Sequence, residues 1–513
     1  MPEQNKLPTL VMKFGGTSVG TAEAMTQAVQ IVQNSRRDWP RLIIVTSALA
    51  GVTNLLLDSA HQSAHGQVHS LYEAESRLRS AHDAIADRLI QDLARRAQVK
   101  QEIGHLIAEF SNLCRAMAVL GEATPRALDA VASLGERMSV RLLSAALEAA
   151  GVPAQYVEAT QLIITDRNFQ NAHPDLKATQ ERTRRVLEPI LAQGRVPVVT
   201  GFLGATPEGV TTTLGRGGSD YSAGILGAVL PADEVWIWTD VDGVMSADPR
   251  AVPNAATIPE LTYREIAELA YYGAKVLHPK TIRPVIDAGV GLRICNTFNP
   301  QHPGTRLVAD SAERSCGEIK AVTAIRHQRL ITIEGRGMLG VPGVAARAFG
   351  AVASTGTSVP LITQASSEQS ICFAVPASSN GEVIQALEAA FAVELAQHDI
   401  DRIWATDDVT ILTVVGAGMI RTPGIAGRVF SALGRHNVNV IAIAQGSSEV
   451  SISLVVDASD ADLALGALRR AQHDERTEVL GVIGQAGLAV DGGVVIAAVD
   501  QEAHVDRGDR QAR

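Results

Sequence analysis

Apolar and polar positions along the chain follow two different rhythms. Through roughly the first 310 residues, short β-branched apolar runs alternate with segments whose apolar positions recur every three or four residues. This alternation predicts a layered α/β fold, in which a mostly parallel, open sheet lies between two layers of helices. The clearest strand candidates are residues 10–14, 42–46, 196–200, 235–239 and 290–294.

One stretch of helical pattern is too long for a single crossover between strands. Residues 55–117 are rich in Ala, Leu, Arg and Glu with few helix breakers, so we predict a helical excursion from the core. His61, His65 and His69 recur within it at every fourth position, a spacing that a metal site can use. No carboxylate recurs at matching offsets, so we interpret the histidines as a solvated helix face and predict no metal site.

The second part of the chain repeats itself. Residues 335–349 are echoed by residues 416–430, and residues 361–368 by residues 442–449, in both cases 81 positions later. A spacing that is preserved across two motifs indicates a duplicated domain. Each copy has the pattern strand, glycine-rich turn, helix, strand, strand, helix, strand, which predicts a ferredoxin-like βαββαβ unit.

A composition break separates the two parts of the chain. Residues 299–304 contain two prolines and a glycine, and the repeat begins beyond them. We therefore predict one large domain at 1–310, repeated domains at 311–404 and 405–485, and a C-terminal tail at 486–513.

Bulk composition limits the classes of function. The 513 residues are 46% hydrophobic and 19% charged, and no apolar run approaches the roughly eighteen residues that a membrane helix needs. The N-terminus lacks the pattern of a secretory signal, so we expect a cytoplasmic protein. Cys114, Cys295, Cys316 and Cys372 are scattered, which is typical of reduced structural thiols. A net charge of −10 disfavours nucleic acid partners, so small-molecule chemistry is the expected class of function.

Two glycine-rich segments stand where a strand pattern gives way to a helix. Residues 13–20 read Lys-Phe-Gly-Gly-Thr-Ser-Val-Gly, and residues 213–222 read Thr-Leu-Gly-Arg-Gly-Gly-Ser-Asp-Tyr-Ser. Glycines at such a junction let backbone N–H groups approach phosphate oxygens, and the helix N-terminus favours negative charge. Neither segment matches the P-loop or the dinucleotide fingerprint. The first alone is more typical of a plain tight turn, whereas the charges within the second favour a functional role.

Other polar segments fit a nucleotide site, although each alone also fits a simple turn. The strand pattern at 235–239 runs into acidic turn residues at 240–243, and Arg250 follows in an Asp-Pro-Arg tripeptide. A guanidinium there suits a phosphate group. Lys275 and Glu136 each stand beside a helix boundary.

In combination and in this order, the segments resemble the aspartokinase branch of the amino acid kinase family. The shared motifs are Lys-Phe-Gly-Gly-Thr-Ser at 13–18, Gly-Val-Thr-Asn at 51–54, Gly-Glu at 135–136, Gly-Arg-Gly-Gly-Ser-Asp at 215–220, Trp-Thr-Asp at 238–240, Asp-Pro-Arg at 248–250 and Gly-Ala-Lys-Val-Leu-His-Pro at 273–279. The duplicated unit is similar to the paired ACT domains that follow the family's kinase domain, so the resemblance extends from about residue 9 to residue 484.

Within the branch, the glutamine-containing motifs at 361–368 and 442–449 are most similar to the kinase half of fused aspartokinase–homoserine dehydrogenases. Only about thirty residues follow Gly484, so we expect no dehydrogenase activity.

The resemblance implies ATP-dependent phosphorylation of the side-chain carboxylate of aspartate, the first step of lysine, threonine and methionine biosynthesis. It also implies Mg²⁺ that bridges the β- and γ-phosphates. The substrate carboxylate is ionised at neutral pH and needs no strong general base, so cations become the residues of interest. By resemblance, Lys13 and Lys275 stabilise the transferring phosphoryl group and Asp220 organises these charges. Glu136 and Arg216 then bind the ammonium and the α-carboxylate of aspartate. The residues so assigned are Thr53, Glu136, Arg216 and Ser219 for aspartate, and Lys13, Gly15, Gly16, Thr17, Thr239, Asp240, Arg250 and Lys275 for the nucleotide.

One position departs from the family pattern. Where the family often carries an aromatic residue near the adenine, this chain has Val244 and Met245. Methionine can pack against a purine, so we still expect nucleotide binding, with altered adenine contacts. Two alternatives stay open: another amino acid kinase, acting on acetylglutamate, glutamate or a nucleoside monophosphate, and a non-catalytic amino-acid-binding regulator.

The paired ACT-like units predict regulation by an amino acid. Gln364 and Gln445 occupy equivalent repeat positions, and an amide suits recognition of a polar amino acid. By resemblance, these glutamines and the neighbouring Ile362 and Ile443 contact the effector, with threonine favoured and lysine second. The alternative is that both glutamines only satisfy hydrogen bonds of edge strands. ACT pairing commonly crosses subunits in the family, which implies a homodimer or homotetramer.

Overall fold

The structure is a computed structural model that describes residues 7–67, 69–272, 277, 279–309, 319–338, 341–364 and 369–472. The predictions made for Lys275, for Cys316 and for the C-terminal tail at 486–513 lie outside the described residues. In the described part of the chain, none of the helices combines the length and the apolar character that a membrane span requires.

The N-terminal half is built from strands and helices that alternate along the chain. The strands described are β1 (Thr9–Phe14), β2 (Arg41–Thr46), β3 (Ala154–Val157), β4 (Val196–Thr200), β5 (Leu203–Ala205), β6 (Thr211–Thr213), β7 (Glu234–Thr239), β8 (Glu260–Thr262), β9 (Gly291–Asn296) and β10 (Thr305–Val308). The helices are α1 (Gly16–Val19), α2 (Ala22–Ser35), α3 (Val52–Ala64), α4 (His69–Leu89), α5 (Leu93–Leu120), α6 (Pro125–Ala149), α7 (Leu176–Ala192), α8 (Gly218–Val229), α9 (Tyr263–Tyr271) and α10 (Pro279–Asp287).

The main sheet of the described N-terminal half has eight strands, in the order β3-β4-β2-β1-β7-β9-β10-β8. Along the sheet, the neighbouring strands β3, β4, β2, β1, β7 and β9 are all parallel to one another. The next strand, β10, is antiparallel to β9. The predicted mostly parallel sheet is confirmed. Because ligands of open parallel sheets bind beyond the carboxyl ends of the strands, the functional site is expected at the edge where β1, β2, β4 and β7 end.

Alternate residues of β1 pack against two different layers of helices. Leu10, Met12 and Phe14 belong to a core shared with helices α2 to α6, whereas Val11 belongs to a core shared with α7 to α10. This period of two is that of a strand covered on both faces. Lys13 shares the face of Val11, which places its side chain on the side of α8.

The predicted helical excursion consists of α3, α4 and α5. Gly66 adopts a left-handed conformation with φ of 81° just after α3 ends, and α4 starts at His69. His61 and His65 are exposed, but the three histidines do not share one continuous helix, because the turn at Gly66 interrupts it.

The C-terminal half contains two similar units. The strands described there are β11 (Ala321–Glu334), β12 (Leu361–Gln364), β13 (Ser370–Pro376), β14 (Arg402–Ala405), β15 (Val409–Val415), β16 (Ala442–Gln445) and β17 (Ser451–Asp457). The helices are α11 (Val344–Ser354), α12 (Asn380–Ala390), α13 (Ala392–Gln397), α14 (Ile425–Gly434) and α15 (Ala461–Ala471). The order of elements from β11 to β14 confirms the predicted ferredoxin-like arrangement. We call β11 to β14 the first unit and β15 to α15 the second unit.

Strand β11 takes part in both units. Its first part, from Ala321 to Ile325, pairs with β15 of the second unit. Its last part pairs with β13 on one side and β14 on the other. One sheet therefore runs through both units in the order β12-β13-β11-β15-β17-β16.

Candidate active site

A cavity of about 520 Å³ opens at the carboxyl ends of β1, β2 and β4. Its walls come from the glycine-rich segment after β1, the loop at residues 47–51, one face of α6 and the segment at residues 213–220. The residues predicted from the sequence that line this cavity are Lys13, Gly16, Thr53, Glu136, Arg216, Ser219 and Asp220. The structure thus brings together segments that are far apart in the chain.

An ion pair joins the end of β1 to the start of α8. The Lys13 Nζ lies 2.5 Å from Asp220 Oδ1, and the two side chains are only 11% and 15% exposed. Asp220 stands in the first turn of α8, where the helix dipole favours a carboxylate. Gly217 precedes this helix with φ of 71°, in the left-handed region that glycine tolerates. The lysine ammonium is therefore held in a fixed, poorly solvated position, where it is effective against developing negative charge.

Close packing explains the Gly-Gly pair after β1. A Cβ on Gly15 would lie 3.3 Å from Lys13 Nζ, and a Cβ on Gly16 would lie 3.1 Å from the carbonyl oxygen of Ala48. The backbone N–H of Gly15 donates to the carbonyl of Trp238 at the end of β7. Small residues at 15 and 16 thus let the chain pass between the lysine ammonium and the loop after β2.

Glu136 is a buried carboxylate that lines the cavity, with 3% of its surface exposed. Its Oε1 accepts a hydrogen bond of 3.2 Å from the backbone N–H of Ala48. Its Oε2 has no hydrogen-bond partner among the described residues. A Cβ on Gly135 would lie 2.8 Å from the Ala48 Cβ, so the glycine allows α6 to come this close. Burial raises the pKa of the Glu136 carboxyl to about 8.

Sequence reasoning missed Asp129, another buried carboxylate at the cavity. It accepts hydrogen bonds from the backbone N–H of Gln170 and from both the N–H and the hydroxyl of Thr213, the last at 2.7 Å. Burial raises its pKa despite these donors. Asp129 precedes Glu136 by seven residues, a spacing that puts both on one face of α6 and is the signal that the sequence offered.

Arg216 is exposed between two glycines that have left-handed conformations, Gly215 and Gly217. Phe202, which sequence reasoning also missed, lines the cavity in a left-handed conformation with φ of 66°. Its N–H donates to Ser222 Oγ at 2.9 Å, which anchors the strained residue to α8. Nothing in the local sequence indicated this conformation.

The residues predicted for the nucleotide are more dispersed. Thr239 ends β7 beside β1, and Asp240 is exposed just beyond it. The side chain of Arg250 is 82% exposed and pairs with Asp248 at 2.8 Å. Gly15 and Thr17 follow β1. These five predicted residues do not line the described cavity.

An exposed aromatic residue lies near Thr239. Phe298 is 53% exposed in the turn after β9, and the N–H of the preceding Thr297 donates to the carbonyl of Thr239. Asp242 Oδ1 accepts from the side-chain amides of Asn296 and Asn299, at 2.8 and 3.0 Å. These bonds fix the turn to the loop after β7. The turn therefore offers a flat apolar surface at the sheet edge where the nucleotide was predicted.

A second cavity, of about 370 Å³, lies in the second unit. It is lined by Gln445 together with residues 421–426 and Glu449. The Glu449 carboxylate accepts a hydrogen bond of 2.7 Å from the backbone N–H of Arg421. Gln364, the counterpart of Gln445, is exposed on β12. Ile362 and Ile443, also predicted at the effector site, are 50% and 46% exposed.

The profile of the amino acid kinase family matches residues 8–296, and the profile of an ACT domain matches residues 331–391 and 412–472. The first match covers more than half of the chain and includes every strand of the main sheet up to β9. The chain belongs to the amino acid kinase family.

Full-length comparison narrows the similarity to aspartokinases. The bifunctional aspartokinase/homoserine dehydrogenase 1 of Zea mays is 37% identical over 491 residues, covering 92% of this chain and 51% of the relative. Aspartokinase 3 of Arabidopsis thaliana is 32% identical, covering 91% of this chain and 82% of the relative. The chain spans about half the length of the bifunctional relatives that it matches.

Solved structures agree with this relationship. Aspartokinase III of E. coli in complex with aspartate and ADP superposes with a TM-score of 0.76 at 30% identity, over 90% of this chain and 99% of that one. The same enzyme in complex with lysine and aspartate gives a TM-score of 0.74 at 31% identity, over 91% and 99% of the two chains. This chain is homologous to aspartokinases.

Proposed function

We propose that the chain transfers the γ-phosphoryl group of ATP to the side-chain carboxylate of aspartate. The observation that carries the proposal is that one cavity holds the Lys13–Asp220 pair together with Glu136 and Arg216. Such a site combines a cation for the phosphoryl group with a carboxylate and a guanidinium for the two charged ends of a free amino acid. The complex of E. coli aspartokinase III with aspartate and ADP supports the same pair of substrates.

The substrate's orientation in this proposal is based on Glu136 Oε2, which has no hydrogen-bond partner among the described residues. An ammonium group is the ligand that satisfies this buried oxygen and compensates its charge. Arg216 then takes the α-carboxylate, and the hydroxyls of Thr53 and Ser219 assist. The substrate's side-chain carboxylate, ionised without a base, attacks the γ-phosphorus, while Lys13 neutralises charge on the phosphoryl oxygens.

The nucleotide is assigned to the edge of the sheet beside this cavity. Thr239, Asp240 and Arg250 contact it in this proposal, with Gly15, Gly16 and Thr17 near the phosphates and Lys275 as a second cation. No group of three or more metal-binding side chains occurs among the residues described. Mg²⁺ that accompanies the nucleotide would be held largely by phosphate oxygens and would neutralise charge on the β- and γ-phosphates.

The rival substrates differ in the group that would face Glu136. The acylated nitrogen of acetylglutamate carries no positive charge, so it could not compensate the ionised form of Glu136. Glutamate has the same charged ends as aspartate but places its side-chain carboxylate one methylene further from them. The site therefore favours aspartate, and discrimination against one methylene amounts to roughly 10–200-fold.

The second cavity is the proposed effector site. Arg421, Glu449 and Gln445 offer a cation, an anion and an amide to a zwitterionic amino acid. We assign threonine as the favoured effector and lysine as the second candidate, the latter supported by the lysine complex of E. coli aspartokinase III. The exposed edge strands β12 and β16 are proposed to pair with a second copy, giving a homodimer or homotetramer.

One assay tests the proposed reaction. The full chain is incubated with ATP, Mg²⁺ and hydroxylamine, which traps an acyl phosphate as a hydroxamate, and aspartate is compared with glutamate and acetylglutamate. We expect at least roughly tenfold more hydroxamate with aspartate than with glutamate, none with acetylglutamate, and its loss in Glu136→Gln, which keeps the shape of the side chain but not its charge. Turnover of acetylglutamate, or no turnover of any of the three, would refute the proposal.

A further inference from the structure

Helix α9 of the catalytic half carries a buried glutamate that contacts the second unit. Glu265 is fully buried, and its Oε2 accepts from the N–H and the hydroxyl of Thr262 in a capping box. The same oxygen pairs with Lys320 Nζ at 3.2 Å, just before β11. The other oxygen, Oε1, accepts from the backbone N–H of Ala417 at 2.6 Å. One carboxylate thus joins the start of α9 to two segments of the C-terminal half.

One turn further along α9, a second glutamate does the same. Glu268 Oε2 accepts a hydrogen bond of 2.8 Å from the hydroxyl of Ser451, the first residue of β17. Residues three apart share a helix face, so Glu265 and Glu268 form one polar face. The carbonyl of Tyr272, which follows the helix, accepts from the hydroxyl of Thr323 on β11 at 2.8 Å. We call Glu265 and Glu268 the coupling face.

The coupling face contacts the second unit at Ala417 and at Ser451. The chain segments next to these two residues form the two walls of the cavity in the second unit. Ala417 stands a few residues before Arg421, at the start of the segment that lines one wall. Ser451 stands between Glu449 and Ile452, which both line the other. A ligand that moves these walls apart or together must strain or relieve the bonds to α9, since the bonds end within a few residues of the cavity.

On the catalytic side, α9 packs into the core that contains α8 and α10. Ile266 and Leu269 of α9 share this core with Val285 of α10 and with Ile225 and Leu226 of α8. Each of these five side chains is almost fully buried. Cores packed this closely transmit displacement, because side chains that fit together leave little free volume to absorb it.

Contact between α8 and α10 is especially tight. A Cβ on Gly224 of α8 would lie 2.7 Å from the carbonyl oxygen of Thr281 on α10. Gly224 lies one turn after Asp220, the partner of Lys13. A shift of α9 against α10 would therefore displace α8, and with it Asp220 of the Lys13–Asp220 pair.

The first unit does not reproduce these contacts. The counterparts of Ala417 and Ser451, 81 positions earlier, are Arg336 and Ser370. Across the described residues, neither donates a hydrogen bond to the catalytic half. Beyond the part of β11 that pairs with β15, the first unit reaches the end of α9 through an exposed bond of 3.2 Å, from the Tyr271 hydroxyl to the carbonyl of Val359. Apart from Lys320, just before β11, the partners of Glu265 and Glu268 in the C-terminal half are Ala417 and Ser451, which belong to the second unit.

We propose that the coupling face links occupancy of the cavity in the second unit to the position of α8, and hence to the Lys13–Asp220 pair. Glu265 and Glu268 act as positioning residues in this role, since neither lines the catalytic cavity. The inference rests on the proposed function, because it takes aspartate and nucleotide as the ligands of the first cavity. Coupling free energies are reciprocal, so ligands of the first cavity must in turn alter the walls of the second.

This reciprocity gives a test that needs no knowledge of the effector. Amide hydrogen exchange of the full chain is measured by mass spectrometry without ligand and with saturating aspartate, ADP and Mg²⁺. In the unmodified chain we expect exchange at residues 416–426 to change by about fivefold, the lower end of typical allosteric couplings. In Ser451→Ala and in Glu265→Gln we expect that change to fall below about twofold. Ser370→Ala, at the equivalent strand position of the first unit, is the matched control and should keep the full response.

The outcomes separate the two proposals. Protection at residues 47–54 of the catalytic cavity, with no change at 416–426, would overturn the coupling role and leave the proposed function intact. Absence of protection at 47–54 would overturn both. Variants that respond as fully as the control would also overturn the coupling role. Because Glu265→Gln removes part of a capping box, its melting temperature is recorded, and Ser451→Ala carries the test if that variant unfolds.

Discussion

Lys13 Nζ and Asp220 Oδ1 lie 2.5 Å apart, joining the end of the first strand to the first turn of α8. The pair is formed by residues more than two hundred positions apart, and it faces the cavity that also holds Glu136. An ammonium held in this way needs little reorganisation when negative charge develops on a phosphoryl group.

Removing the ammonium should therefore abolish most catalysis. In Lys13→Ala we expect kcat to fall by at least about a hundredfold, the usual effect of losing one preorganised charge-stabilising group. Steady-state kinetics with coupled detection of ADP would measure it, and circular dichroism would check folding. Asp220→Asn, which keeps the shape but frees the lysine, should lower kcat by a smaller factor. Near-normal turnover in Lys13→Ala would contradict the assignment.

Aspartate binding should depend on pH through Glu136. Its pKa is raised to about 8 by burial, so at neutral pH the free enzyme carries mostly the protonated form. The ammonium group of aspartate pairs with the ionised form of Glu136, so binding releases a proton from this side chain. The affinity for aspartate therefore becomes weaker as the pH falls. We expect the KM for aspartate to rise about tenfold from about pH 8.5 to about pH 7.

The control for this prediction is Glu136→Gln, which cannot titrate. That variant should bind aspartate weakly at every pH, with a flat profile between the same limits. A flat profile in the unmodified enzyme would show that the carboxylate is already ionised before the substrate arrives.

Phe298 provides a test of where the adenine lies. Its ring is 53% exposed beside Thr239, and stacking of a base on an aromatic side chain contributes about 1–3 kcal/mol. Phe298→Ala should raise the KM for ATP by roughly tenfold and leave the KM for aspartate nearly unchanged. Phe298→Tyr, which keeps the ring, is the matched control. An equal rise in both KM values in Phe298→Ala would point to a general disturbance of the sheet edge.

The two repeat glutamines should differ in their effect on inhibition. Both side chains are exposed on edge strands, but Gln445 also lines the cavity of the second unit. If threonine inhibits, Gln445→Ala should raise the half-inhibitory concentration by about tenfold, as expected when a ligand loses a hydrogen-bond partner. Gln364→Ala at the equivalent position is the comparison. Inhibition that is unchanged in both variants would indicate that the glutamines only satisfy hydrogen bonds of their edge strands.

Buried His82 should make the helical excursion sensitive to acid. Its Nδ1 lies 2.6 Å from the carbonyl oxygen of Leu78, its Nε2 has no partner in the described part of the chain, and burial lowers its pKa below 6.5. As pH falls below about 6.5 the unfolded chain binds the proton first, so stability is lost with a slope of up to about 1.4 kcal/mol per pH unit.

Differential scanning calorimetry of His82→Met would measure this contribution. We expect the variant to lose less thermal stability than the unmodified chain between about pH 7 and about pH 5. His65 has the same bond to the carbonyl four residues earlier but is exposed, so His65→Met is the control. Equal acid sensitivity in all three proteins would exclude His82 as the source.

Local patterns predicted much of the fold. The short apolar run of β1 and the glycines after it were readable because strand patterns and tight turns depend on a few consecutive residues. Asp129 was not recognised, because its role arises from hydrogen bonds to Gln170 and Thr213, 41 and 84 positions away. No local pattern encodes a contact at that distance.

The C-terminal half shows the same division between what the sequence predicted and what it did not. The 81-position repeat identified two similar units, but it could not show that β11 runs through both of them. Which strands pair across a duplicated sequence is decided by the packing of the whole sheet. Glu265 was overlooked for a related reason: a Thr-x-x-Glu motif reads as a helix cap, and its further contact with Ala417 lies 152 positions away.

Because strand β11 is shared, most of the first unit is an insertion into the sheet of the second unit. Gln328 and Val409 are directly paired on neighbouring strands, so the chain leaves the second unit's sheet at one of these residues and returns at the other. The intervening segment is thus an insertion with adjacent ends, and it is the natural piece to exchange between homologous enzymes. A chimera joined at these two residues would replace the first unit beyond Gln328 while keeping the second unit attached to the N-terminal half.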